Sequence, residues 1–130
     1  MTSTPASSDH PAAADAVVVI AHGSRSEEAN DAHRATCALL AERSGRVVSP
    51  AFLELASPSL AEAVTTVVEA GATGVVVLPF FLYPGRHMQR DIPALVDAAR
   101  SEHPSVDIAL GPLFGADPGV IDLLIGQLGG

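Results

Sequence analysis

Ala16-Val17-Val18-Val19-Ile20-Ala21-His22-Gly23-Ser24-Arg25 is the stretch on which the reading of this chain turns. Its first six residues are aliphatic without a break, the pattern of a strand covered on both faces, so the expected place is the centre of a parallel sheet. The next four change character at once, to imidazole, glycine, hydroxyl and guanidinium. Open α/β sheets hold their ligands outside the carboxyl ends of the strands, so these four residues fall where a site belongs.

Working outward, short β-branched runs alternate with longer stretches of helical periodicity, which predicts βαβ units on a parallel sheet. Residues from Ser26 to Arg43 carry Ala29, Ala32, Thr36, Leu39 and Leu40 at helical spacing, with Ser44-Gly45 as the stop. A second strand follows from Val47 to Leu55, with Pro50 marking it as an imperfect or edge strand. Ser57-Pro58 reads as a helix start, Ser as cap and Pro at the first helical position, followed by Leu60, Val64, Val67 and Val68 on one face. Gly74 to Phe80 is the third strand, running into a loop from Phe81 to Arg90. Asp91 caps or interrupts a helix carrying Ile92, Leu95, Val96 and Ala99. Val106 to Leu110 is the fourth strand, and Asp117-Pro118 opens a last helix with Ile121, Leu124, Ile125 and Leu128 on one stripe.

The chain has 130 residues, enough for one core and not two. Residues 1–14 read as a disordered tail without the basic start and apolar run of a signal peptide, and 15–130 as a single α/β domain. The longest apolar run, Val75 to Tyr83, is broken by Pro79 and is far below the roughly 20 residues of a membrane span. No membrane association is expected, and the location implied is the cytoplasm. The formal charge is −8, and all seven basic residues are arginines. Such a balance gives no basic face for nucleic acid. The single cysteine, Cys37, excludes a disulfide framework and a Cys-rich zinc site, and reads as a small buried hydrophobe.

His22 follows the first strand, Glu54 lies at the end of the second, and His87 sits in the loop after the third. Two imidazoles and a carboxylate meeting at one rim suit a divalent first-row metal or proton transfer. Arg25, Arg86 and Arg90 sit in the two segments that hold the histidines, which suits a substrate rich in carboxylates. Gly23 and Ser24 lead into a helix N-terminus, whose free N–H groups also attract anions. Arg34, Arg43, Arg46 and Arg100 read as surface charges, and His10, His33 and His103 as solvent-facing residues without function.

Four motifs in order carry a resemblance: His22-Gly23-Ser24-Arg25; Phe52-Leu53-Glu54 with Pro58-Ser59-Leu60; Leu78-Pro79-Phe80-Phe81-Leu82 with Gly85 and His87; and Asp91-Ile92-Pro93. Together they resemble the small sirohydrochlorin chelatases of the CbiX type, over residues 16–115. The resemblance implies a class II chelatase fold, related to flavodoxin: three layers, with a four-stranded parallel sheet flanked by helices. It also implies half of a two-lobed cleft, completed in a homodimer. His22 and His87 would then hold the metal or accept pyrrole protons, and Glu54 would be their acidic partner. Ser24, Arg25, Arg86 and Arg90 would bind the tetrapyrrole. The divalent ion, Co²⁺, Fe²⁺ or Ni²⁺, would be a substrate of cobalamin or siroheme synthesis and not a resident cofactor. A non-catalytic metal or tetrapyrrole carrier fits the same residues. A histidine phosphatase fits less well, because those enzymes resemble Arg-His-Gly and Ala21 precedes His22 here.

Overall fold

The computed structural model describes residues 14–129. Its elements in chain order are β1 (Ala16–Ala21), α1 (Glu27–Ser44), β2 (Val47–Phe52), α2 (Leu60–Glu69), β3 (Gly74–Pro79), α3 (Arg86–Glu102), β4 (Asp107–Leu110) and α4 (Gly119–Gly126), with a short 3-10 turn at Phe114–Ala116 before α4. The four strands form one parallel sheet in the order β2-β1-β3-β4. The aliphatic run 16–21 is therefore central, as its composition demands. It pairs with β2 from Ala16 opposite Val47 to Ala21 opposite Phe52, and with β3 from Ala16 opposite Val75 to Ile20 opposite Pro79. β2 is an edge strand, where the missing N–H of Pro50 does least harm.

Strand alternation sorts β1 between two packing layers. Ala16, Val18 and Ile20 meet Leu60, Ala63, Val64 and Val67 of α2 and Met88, Ile92, Val96 and Ala99 of α3. Val17 and Val19 face the other way, onto Cys37 of α1. The result is the expected three-layer α/β sandwich, lopsided in its packing. Each fully buried aliphatic on the α2/α3 side contributes about 1.5–3 kcal/mol, so that layer carries most of the stability.

Several local expectations change. The buried positions of α1 are Asn30, His33 and Cys37, whereas Leu39 and Leu40 are exposed. An apolar search misses this face because two of its three members are polar. Their polar atoms are satisfied: His33 Nε2 lies 3.0 Å from Val19 O, and Asn30 bonds Ser24. His33 is thus not solvent-facing, and its ring packs edge-on against Phe52 and stacks on Phe80. His103 is half-buried too, with Nε2 3.1 Å from Thr65 Oγ1. His10 lies outside the described residues.

The cap of α2 is Ser59, not Ser57; its hydroxyl accepts Glu62 N–H while the Glu62 carboxylate accepts Ser59 N–H, a capping box. Asp91 neither caps nor interrupts, because α3 runs unbroken from Arg86 to Glu102 through Pro93. Two supposed surface arginines act as ties. Arg34 donates to Glu27, Asp31 and the Ser57 carbonyl, with its guanidinium over the Phe52 ring, and Arg100 donates to the Ile108 carbonyl and to Asp97. Of the expected tail, residues 1–14, Ala14 alone is described, and it is buried.

Candidate functional site

β1 is followed by α1 on one face of the sheet, and β3 by α3 on the other. A crevice opens where neighbouring strands send their connections to opposite faces, and the segments after β1 and β3 flank it. His22, the first residue past β1, and Glu54, two past β2, are brought together there. The parallel ladder continues beyond the strands: Leu53 N–H donates to the Ala21 carbonyl at 2.8 Å and Glu54 N–H to the His22 carbonyl at 3.0 Å. His22 Nε2 ends 3.6 Å from Glu54 Oε2, with both side chains more than half exposed.

Gly23 makes this approach possible. Its φ is +95°, and a Cβ there would stand 1.8 Å from the Glu54 carbonyl oxygen. No other residue type fits without moving one strand exit. Immediately after Glu54, Leu55 takes φ +67°, the one positive φ outside glycine among the described residues. Backbone strain of roughly 1–3 kcal/mol is thus stored beside the carboxylate.

His22 Nδ1 lies 3.3 Å from the Gly23 carbonyl. In the tautomer with its proton on Nδ1, His22 donates to that oxygen and its Nε2 lone pair is left for a metal ion or a proton. Nitrogen and oxygen ligands bind first-row ions at roughly 2.0–2.2 Å, which separates two neighbouring donors by about 3–4 Å. The His22–Glu54 spacing falls in that range. Among the described residues, no group of three or more His, Cys, Asp or Glu could hold a metal ion. The same geometry also suits proton transfer, with Glu54 stabilising the imidazolium once Nε2 is protonated.

A cleft of about 540 Å³ opens over this pair, lined by His22, Leu53, Glu54, Asp91, Ala94 and Leu95. Asp91, Ala94 and Leu95 form one stripe of α3, and position 87 lies one helical turn before Asp91 on that stripe. His87 is therefore in the first turn of α3 and not in a loop. Arg86 and Arg90, also one turn apart, occupy the neighbouring stripe of α3. Both are exposed, as is Arg25, and none of the three forms an ion pair among the described residues.

The Ser24 hydroxyl accepts Ser26 N–H at 2.9 Å, so part of its capacity goes to shaping the loop and its proton remains to donate outward. The segment after β3 is pinned from below: Gly115 N–H donates to the Phe81 carbonyl, and a Cβ on Gly115 would stand 1.7 Å from the Leu82 carbonyl oxygen. Asn30, Asp91 and Leu95 were not singled out as site residues from the sequence. For Asp91 the signal was available, since it follows His87 by four positions in what proves to be one helix.

The CbiX family model matches residues 16–129. The chain belongs to the CbiX family. Similarity within curated CbiX-like relatives includes the chloroplastic sirohydrochlorin ferrochelatase of Arabidopsis thaliana, 37% identical over 112 residues, covering 85% of this chain and 50% of that protein. A sirohydrochlorin ferrochelatase of Priestia megaterium is 31% identical over 119 residues, covering 88% and 43%. Among solved structures, the sirohydrochlorin chelatase SirB of Bacillus subtilis subspecies spizizenii in complex with cobalt matches with a TM-score of 0.78 and 29% identity, covering 87% of this chain and 49% of that one. This CbiX-family chain thus spans half, or less than half, of the length of these relatives.

Proposed function

We propose that this chain inserts a divalent metal ion, Co²⁺ or Fe²⁺ before Ni²⁺, into sirohydrochlorin. The observation that carries the reading is the His22–Glu54 pair, 3.6 Å apart, on a cleft whose far wall is the α3 stripe that includes position 87. Insertion breaks two pyrrole N–H bonds, forms bonds from the metal to the ring nitrogens, and releases two protons. Neutral imidazole accepts a proton near pH 7 and also binds first-row ions, so His22 and His87 serve in both capacities, with Glu54 offsetting the positive charge. Exposed donors with open positions hand an ion on; closed sets keep it. Arg25, Arg86 and Arg90 recognise the peripheral carboxylates, assisted by the Ser24 hydroxyl, against the chain's overall negative charge. The metal is a substrate here.

Purified protein should accelerate Co²⁺ or Fe²⁺ insertion, followed by the change in the tetrapyrrole absorption spectrum. A folded protein that binds sirohydrochlorin and gives only the uncatalysed rate establishes the carrier reading in its place. A phosphatase is not favoured, because Ala21 stands where such sites place arginine.

The working unit is a homodimer in the cytoplasm. α4 leaves Ile121, Leu123, Leu124, Ile125 and Leu128 exposed, and beside its start lies an apolar groove of about 450 Å³ over Val19, Cys37, Leu40, Leu78, Phe80 and Phe114. A helix and a groove on one chain can each be covered by the other's copy about a two-fold axis. No helix among the described residues is long and apolar enough to cross a membrane. Light scattering should give twice the monomer mass, and Leu124→Asp should halve it; a monomeric parent protein defeats the dimer.

A further inference from the structure

Asn30 occupies a position on α1 where packing alone would favour an aliphatic side chain. It is 2% exposed, and its amide bonds both peptide groups of one residue: Nδ2 donates to the Ser24 carbonyl at 2.8 Å, and Oδ1 accepts Ser24 N–H at 3.0 Å. We propose that Asn30 is a positioning residue for metal insertion, holding the His22–Arg25 segment in its working shape. The inference rests on the function proposed above.

The physical need is plain from the ladder. On one side, β1's pairing continues through Leu53 N–H to the Ala21 carbonyl and Glu54 N–H to the His22 carbonyl; on the other it ends with Phe80 N–H on the Ile20 carbonyl. Two residues further on, Ser24 has no strand neighbour. Its donor and acceptor would be left unpaired beside the core unless a side chain offered both complementary groups. A primary amide does so, standing in for a strand edge; a carboxylate at neutral pH lacks the donor, and an aliphatic residue lacks both. With Ser24 bonded at both peptide groups, and its hydroxyl holding Ser26 N–H, the exposed His22 and Arg25 lie two positions before and one position after an anchored residue. Reaction geometry is sensitive to this, since a displacement of about 1 Å can cost roughly 100-fold in rate.

A purely structural asparagine would lower stability and nothing else, so the test separates the two. Asn30→Asp keeps the shape and removes the donor; Asn30→Ala removes both bonds. Val67→Ala, buried in α2 on the far face of the sheet, serves as a variant destabilised away from the site. Each full-length protein is compared by urea midpoint, by kcat and KM for Co²⁺ insertion into sirohydrochlorin, and by calorimetric titration with Co²⁺ alone. The expected result is a fall of about tenfold or more in kcat/KM for the Asn30 variants, at a midpoint loss for which Val67→Ala stays within about twofold of the parent. If Asn30→Ala does not fold, Asn30→Asp carries the comparison. Asn30 variants no slower than Val67→Ala overturn the proposal. If the parent protein itself inserts no metal, the proposed function fails, and the positioning role is then judged on Co²⁺ affinity: weaker binding by Asn30→Asp supports it, equal binding overturns it.

Discussion

His22 Nε2 stands 3.6 Å from Glu54 Oε2, and the main chain puts it there, through the bond from Glu54 N–H to the His22 carbonyl. Both side chains are exposed, so their attraction adds little to folding. In the proposed function their value is chemical. His22→Ala should therefore remove most insertion activity, and Glu54→Gln should weaken Co²⁺ binding, while the stability of each variant changes by about 0.5 kcal/mol or less. Chemical denaturation alongside the spectral assay checks both; a large stability loss with intact activity would contradict the assignment.

Gly23 is the steric condition for that pair. Alanine would drive a Cβ to 1.8 Å from the Glu54 carbonyl oxygen and force L-residue geometry onto φ +95°. Gly23→Ala should cost about 1–3 kcal/mol and abolish insertion together, because relief requires the two strand exits to part. The urea midpoint and the rate are the readouts, and a fully active, equally stable variant counts against the close approach.

Just before the opposite end of β1 lies a carboxylate whose bonds depend on pH. Asp15 accepts Gly74 N–H at 3.0 Å and Thr73 N–H at 3.3 Å, and these bonds, Gly74 first, hold its carboxyl below the ordinary value of 3.8. A carboxylate whose folded pKa is depressed contributes stability that is fully present above its unfolded value and lost as pH falls through the folded one. Asp15→Asn should accordingly be less stable than the parent at neutral pH, with the gap closing below pH 3.8. Thermal melts across the acid range measure it; a gap that does not narrow refutes the linkage.

Arg86 and Arg90 share one stripe of α3 next to the stripe that lines the cleft. Replacing either with Gln should raise KM for the tetrapyrrole by about tenfold, the order of one charge-assisted hydrogen bond, and leave Co²⁺ affinity unchanged. Added salt should reproduce part of the effect in the parent protein. An unchanged KM would remove these arginines from substrate recognition.

The central strand, the alternation of strands and helices, and the neighbourhood of His22 and Glu54 were legible in the chain itself. Short β-branched runs without a polar residue, bounded by turn signals, suit doubly covered strands, and strand ends of a parallel sheet share one rim. The α1 face was not legible. Asn30, His33 and Cys37 recur at helical spacing, yet hydrophobicity marks Leu39 and Leu40 instead, which the fold leaves exposed. Likewise His87 reads as a loop residue because Gly85 and Pro84 break the pattern, although Gly85 is in fact the cap of α3.

What the sequence by itself determined is the order of the elements, the central place of residues 16–21, and the chemical types available after each strand. Those follow from local rules, namely periodicity, capping and the burial of apolar runs. Only the tertiary structure decided that His33 and Asn30 point inward, that the loop after β1 is held by an amide, and that Asp91 and Leu95 face His22 across a cleft. A polar side chain is buried when a particular partner waits for it, and such partners, the Val19 carbonyl and the Ser24 peptide groups, exist only once strand and helix have packed.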